Sequence, residues 1–297
     1  MTQTPVKTRL GSIGYINSLP VDLGILNGAV DAGPGVTITR DVPAGLNALV
    51  LAGELDVTPV SALHYAQNAE RLVLLPDLSV SSESGVQSVL LFSKKPIREI
   101  GNAVIRMTDQ GRTTPALLRI LLETRYGFKP LYAAGPSTAD LSTVYDQAVL
   151  LIGDDALRAA DSPEAAGWHV TDLSQEWQEW TGRPFVFAVW TARRDFWEKH
   201  PDRVLGVLQT LLASRKWAAE HEQELIREAQ ERSGFTPERL RRYYKELRFD
   251  LDVTLVKGMM EYFDAAARLG ILKQAPRLEW LPARLATTQE GATTTHG

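Results

Sequence analysis

LGSIGYINSLP, residues 10–20, is the stretch from which the fold can be read. A short strand carried by Ile13 and Tyr15 runs into the polar pair Asn17-Ser18. Leu19-Pro20 then opens an apolar helix, Val21-Asp22-Leu23-Gly24-Ile25-Leu26. Proline is tolerated in a first helical turn, where its missing N–H would have no partner. The reading is a strand, a sharp polar turn and a helix N-terminus, whose free N–H groups and dipole favour an anion. Ser18 capping its own helix accounts for the same residues. The device recurs at Ser61 and at Thr113-Thr114-Pro115, and the repetition favours the anion-binding reading.

Working outward, strand patterns at 10–15, 36–41, 55–60 and 72–78 alternate with helical ones at 19–27, 44–52 and 61–69, Gly53 closing the second helix. This rhythm predicts a parallel sheet with helices on its faces and ligands beyond the carboxyl ends of its strands. A strand apolar on both faces follows at 85–93. A second α/β run comes next, with strands at 103–107 and 148–152 and helices at 114–126 and 155–160. Another doubly apolar strand spans 185–190, and helical patterns run from Pro201 to about Leu272. Two such strands bracketing an α/β unit suggest a lobe built from 1–92 plus 190–285, with a second lobe, 93–189, inserted. One continuous sheet is the alternative. The polar stretch 286–297 is expected to be a disordered tail.

The chain has 297 residues, 44% of them apolar, a net charge of -4 and no cysteine. It can bury a sizeable core and offers neither disulfides nor thiolate ligands. The acidic balance, without a basic stripe, argues against a nucleic-acid partner. The opening MTQTPVKTRL lacks the apolar run of a secretory signal, and no run approaches the ~18 apolar residues of a membrane span. The expectation is a cytoplasmic protein with no membrane partner. Five scattered histidines (His64, His169, His200, His221, His296) show no metal-ligand spacing, so no metal is expected. Nothing in the sequence signals an oligomeric state.

The segments GYINSLP (14–20), ELDVTPVSALHY (54–65), LLPDLSVSSESGVQSVLLFS (74–93), LLIGDDAL (150–157) and TGRPFVFAVW (181–190) together resemble one family, the chorismate dehydratases of the futalosine route to menaquinone. The resemblance implies a periplasmic-binding-protein type II fold, two α/β lobes joined by two crossover strands, with a helical C-terminal part. It also implies the reaction, loss of water from chorismate to give 3-[(1-carboxyvinyl)oxy]benzoate without a cofactor. The sequence departs from the family pattern at Gly111-Arg112-Thr113-Thr114, where Ser-x-Thr-Ser is usual, and at Arg183, where leucine is usual.

Chorismate carries two carboxylates. Its C3 hydrogen and C4 hydroxyl share a face, so a stepwise elimination is expected, with donors preorganised around the developing dienolate. Thr113 and Thr114 are candidates for one carboxylate from the second lobe, Thr114 being read as a helix N-cap. Asn17, Ser18 and Ser61 are candidates for the rest of the substrate. Ser82 and Ser88, in the serine-rich turn, are further candidate contacts. Gly153-Asp154 follows a strand end. There Asp154 would repel a carboxylate and is read as an acceptor for the C4 hydroxyl, a helix cap being the plainer role. His64 and His169 read as structural, and no paired carboxylates are evident. The base is therefore read as the substrate's own enolpyruvyl carboxylate, with Asn17 orienting the reacting region. Trp177 and Trp180 read as packing residues, and Lys94-Lys95 and Arg193-Arg194 as solvated strand ends. Two rival functions are a non-catalytic small-anion binding protein of the same fold and the sister dihydroxynaphthoate-forming lyase. The latter carries a His-Glu pair where Gly153-Asp154 stands.

Overall fold

The computed structural model describes residues 6–107, 111–135 and 138–282, so the expected tail at 286–297 lies outside the described residues. Strand β1 (Thr8–Ile13), helix α1 (Leu19–Leu26), β2 (Val36–Asp41), α2 (Pro43–Leu51), β3 (Val57–Ser61), α3 (Ala62–Gln67) and β4 (Leu72–Ser82) follow the expected alternation. The second run comprises β5 (Val89–Ser93), β6 (Val104–Met107), α4 (Thr113–Ile120), β7 (Leu131–Ala134), β8 (Ala148–Ile152), α5 (Gly153–Asp161), β9 (His169–Asp172) and α6 (Leu173–Thr181). The chain then returns through β10 (Phe185–Arg193) into α7 (Arg194–Lys199), α8 (Pro201–Glu220), α9 (Glu222–Ser233), α10 (Pro237–Glu246) and α11 (Val253–Arg268). Proline stands in the first turn of α1, α2, α8 and α10, where its fixed φ starts the helix and no hydrogen bond is lost.

These strands form two five-stranded sheets, ordered β2-β1-β3-β10-β4 and β7-β6-β8-β5-β9. Both are mixed rather than parallel: β10 runs antiparallel to β3 and β4, and β5 antiparallel to β8 and β9. The two doubly apolar strands were expected to cross between lobes, but each lies wholly in one sheet. An interior strand covered by helices on both faces shows the same apolar pattern. The chain instead changes sheets in residues 83–88 and 182–184, just before β5 and β10, a few residues ahead of the expected boundaries.

Asp172 fixes the first passage. One carboxylate oxygen accepts the N–H groups of Val86 and Gln87 at 2.7 and 2.6 Å, and the other caps α6. The second passage rests on Trp177, Phe185 and Tyr262, all fully buried, with ring centroids 4.9–6.2 Å apart at steep angles. Such pairs add ~0.5–1.5 kcal/mol each beyond their burial. Trp177 is thus a packing residue, as expected. Gly258 of α11 lies against the same passage, where an added Cβ would stand 2.2 Å from the Pro184 carbonyl oxygen. The outer edge of β4 is covered by the chain itself: Ser79 and Ser81 donate N–H bonds to Phe249 and Arg248 carbonyls, and Leu74 exchanges bonds with Glu279 and Leu281.

Candidate active site

A hollow opens between the two sheets, a concave, mostly apolar site of the kind that small molecules occupy. It lies beyond the carboxyl ends of β1, β3, β4 and β8, as open α/β sheets dictate. The first sheet and its turns contribute Ile13, Tyr15, Asn17, Pro59, Val60, Ser61, Val80, Phe187 and Ala188. Ser88, Val89, Thr113, Thr114, Ile152 and Gly153 face them from the second. Most of the wall is apolar and the polar groups are few. That combination excludes water and strengthens each hydrogen bond made inside.

Six of the nine sequence-selected residues line this hollow: Asn17, Ser61, Ser88, Thr113, Thr114 and Gly153. The Asn17 Oδ1 atom is buried without a partner among the described residues, a costly state unless a bound molecule satisfies it. Ser61 precedes α3 but makes no cap bond. Its oxygen instead accepts from Asn47 Nδ2 at 3.4 Å. Thr114 is not the N-cap of α4. Arg112 holds that position with helical φ and ψ, so Thr113 and Thr114 occupy the first two helical positions and neither caps the helix. Their N–H groups have no carbonyl within α4 to bind and stand at the positive end of its dipole. The Thr113 hydroxyl oxygen accepts the Leu63 N–H at 2.9 Å, and its carbonyl accepts from the Tyr262 hydroxyl at 3.0 Å. The aromatic cluster under the second passage thereby sets the height of α4. Ser88 follows the Asp172-held turn and accepts from the Tyr243 hydroxyl at 3.0 Å.

Gly153 has φ +61, and an added Cβ would sit 3.2 Å from the Tyr15 ring. Glycine here lets Tyr15 lie over the start of α5 and close one side of the hollow.

Three of the expected residues do not line the hollow. Ser18 is fully buried, and its hydroxyl donates to the carbonyls of Ile13 and Tyr15 at 3.0 and 3.4 Å. It shapes the turn that presents Asn17 and does not face the hollow. Ser82 is fully buried as well, its hydroxyl donating to Gly85 and Ser84 carbonyls at 2.7 and 3.1 Å. Both serines satisfy the backbone of tight turns, the usual use of short hydroxyls there. Asp154 is absent from the lining. Burial pushes its carboxyl up to about 6, against a backbone hydrogen bond from Ile16 and the charge of Arg158 that pull it down.

Among the lining residues there is no Asp, Glu, His or Lys, and the cation is Arg112, exposed at the rim. His64 lies outside, beside Arg112 and Asn47 in a neighbouring depression, where burial and the Arg112 charge lower it to about 4. His169 is exposed at the start of β9. Arg183 is exposed and away from the hollow. Lys94 lies over the Trp168 ring at 3.3 Å, and Arg193 and Arg194 pair with Asp195 and Glu279. Sequence reading missed Tyr15, Phe187 and Leu247 as wall residues. Leu247 arrives after α10, 59 residues beyond Ala188, the wall residue nearest to it in sequence, and only the packed chain reveals it.

The model of a family described as menaquinone biosynthesis matches residues 8–268. A chorismate dehydratase from Thermus thermophilus is 33% identical over 244 residues, covering 78% of this chain and 87% of the relative. Among solved structures, a protein from Archaeoglobus fulgidus superposes with a TM-score of 0.73 at 21% identity, covering 90% of this chain and 98% of that one. The periplasmic aliphatic sulphonate binding protein of Escherichia coli superposes with a TM-score of 0.63 at 12% identity, covering 98% of each chain. The architecture is the periplasmic-binding-protein fold. Among the described residues, no helix is long and apolar enough to cross a membrane.

Proposed function

Because the chain belongs to the menaquinone-biosynthesis family, we propose that it removes water from chorismate to give 3-[(1-carboxyvinyl)oxy]benzoate, as a cytoplasmic hydro-lyase of the futalosine route. The observation that carries this reading is the convergence of Asn17, Ser61, Ser88, Thr113 and Thr114 on one apolar-walled hollow. Five neutral polar side chains from widely separated segments suit a small dicarboxylate.

The chemistry follows from what the wall offers. No lining residue except Arg112 carries a charge, so the enolpyruvyl carboxylate of the substrate takes the C3 proton. The electron pair left at C3 spreads through the ring double bond into the ring carboxylate. The C4–O bond then breaks, the departing hydroxide recovers the proton as water, and the ring becomes aromatic. The step is redox-neutral. Thr113, Thr114 and the N-terminus of α4 hold one carboxylate, Ser61 and Ser88 donate to the other, and Asn17 fixes the C4 hydroxyl. These donors act where charge develops, in a site with little water to reorganise. Arg112 at the rim attracts a dianion without being buried beside it.

Incubating the purified protein with chorismate and following a new aromatic absorbance tests the proposal. Failure of that absorbance to appear, with the protein folded, would reject it.

A further inference from the structure

Three hydroxyls that face the hollow have an oxygen lone pair filled from behind. Asn47 Nδ2 donates to Ser61 Oγ at 3.4 Å, the Leu63 N–H to Thr113 Oγ1 at 2.9 Å, and the Tyr243 hydroxyl to Ser88 Oγ at 3.0 Å. The donors come from α2, α3 and α10, and none of the three residues lines the hollow. They form an outer layer behind the inner one.

A hydroxyl has one proton and two acceptor lone pairs. Left alone, it rotates and can present either to a ligand. A carboxylate only accepts, so a hydroxyl that offers it a lone pair repels it. Once an outer N–H or O–H occupies the oxygen from behind, the hydroxyl proton turns to the opposite side. Drawing electron density from the oxygen also makes that proton a better donor, since hydrogen bonds in a chain polarise one another. Tyr243 is suited to the outer role. It is 1% exposed, and burial pushes its phenol well above the usual range, so it keeps its proton. Asn47 is 5% exposed and donates through an amide that does not titrate.

Building on the function proposed above, we propose that Asn47 and Tyr243 are positioning residues, which hold the Ser61 and Ser88 hydroxyls as donors toward a bound dicarboxylate. The Leu63 N–H does the same for Thr113 through the backbone, which a side-chain truncation leaves in place. The competing explanation is that Ser88 and Ser61 serve only to satisfy a buried phenol and a buried amide.

Two double-mutant cycles separate these explanations. Tyr243→Phe is made alone and with Ser88→Ala, and Asn47→Ala alone and with Ser61→Ala. Each protein is measured for kcat and KM on chorismate, or for its Kd for chorismate should the wild type show no turnover, together with its thermal unfolding. Tyr243→Phe alone should lower kcat/KM roughly tenfold, the usual worth of one such bond. In the Ser88→Ala background it should add no more than about twofold, because the hydroxyl it orients is gone. Tyr243→Phe and Ser88→Ala should also move the same kinetic parameter. Losses that persist undiminished in the serine-lacking background overturn the inference, whatever the fate of the chorismate reaction. If Tyr243→Phe fails to fold, the Asn47 cycle decides by the same criterion. Wild-type protein that neither turns over nor binds chorismate rejects the earlier functional reading and this inference together, whereas additive cycles in an active wild type reject this one alone.

Discussion

Replacing Thr114 by valine removes one hydroxyl and keeps the branched outline of the side chain. Thr114 is 7% exposed, it caps nothing, and its hydroxyl has no protein partner among the described residues. Folding loses almost nothing with it, so the unfolding free energy should stay within about 0.5 kcal/mol of wild type. A hydrogen bond to a carboxylate contributes ~1.5–3 kcal/mol, which predicts a fall in kcat/KM on chorismate of roughly 10- to 150-fold. Thr113→Val should slow the reaction comparably, but it also deprives the buried Leu63 N–H of its acceptor. An unsatisfied buried donor costs about 1–3 kcal/mol of stability. Two isosteric changes one residue apart therefore separate the hydroxyl with one role from the hydroxyl with two. Steady-state kinetics by product absorbance, paired with urea unfolding of each variant, reads both axes. Unchanged kcat and KM in folded Thr114→Val would refute the assignment of α4 to carboxylate binding.

Gly153→Ala should cost about 1–2 kcal/mol in thermal unfolding, because φ +61 disfavours any Cβ and this one meets the Tyr15 ring; an unaltered Tm would show that the turn relaxes freely. Asp154 is held at about 6 in the folded protein against 3.8 ordinarily, so the fold binds its proton more tightly than the unfolded chain does. Its contribution is most favourable below the lower value and is lost as pH rises through the upper one, leaving wild type about 2–3 kcal/mol less stable near pH 7 than its acid-side behaviour implies. Asp154→Asn should remove that decline, and urea titrations showing parallel pH profiles for the two proteins would contradict it. Ser18→Ala should lower stability by about 1 kcal/mol and leave kcat/KM within about twofold, since its hydroxyl serves the turn carbonyls and the buried Asp22 and does not face the hollow. A large kinetic loss at full stability would return Ser18 to the site.

Local pattern carried the alternation of strands and helices, and the strands at 36–41 and 148–152 match their expected limits. The polar turns at Asn17, Ser61 and Thr113-Thr114 were also legible, because a strand end followed by a helix start confines such residues to one edge of a sheet. What the pattern could not say was which way a short hydroxyl turns. Ser18 and Ser61 both sit at strand-to-helix turns, yet one folds back on two carbonyls and the other faces the hollow. That choice depends on distant neighbours: Asn47 stands behind Ser61, and Tyr243 behind Ser88 across 155 residues. The doubly apolar strands misled in another way. Burial on both faces marks an interior position in a sheet and leaves open which sheet the strand belongs to.

The placement of β10 between β3 and β4 has a bearing on how the protein comes to exist. During synthesis the strands of the second sheet, from Val89 to Asp172, all emerge before Phe185 does. That sheet can therefore assemble while the first still has a gap down its middle, with β3 and β4 made but not adjoining. The final insertion of β10 brings together segments far apart in sequence, a contact of high order that forms slowly. A ribosome-bound chain long enough to expose Asp172, with residues 185–193 still inside the exit tunnel, would display one finished sheet and one that stays open.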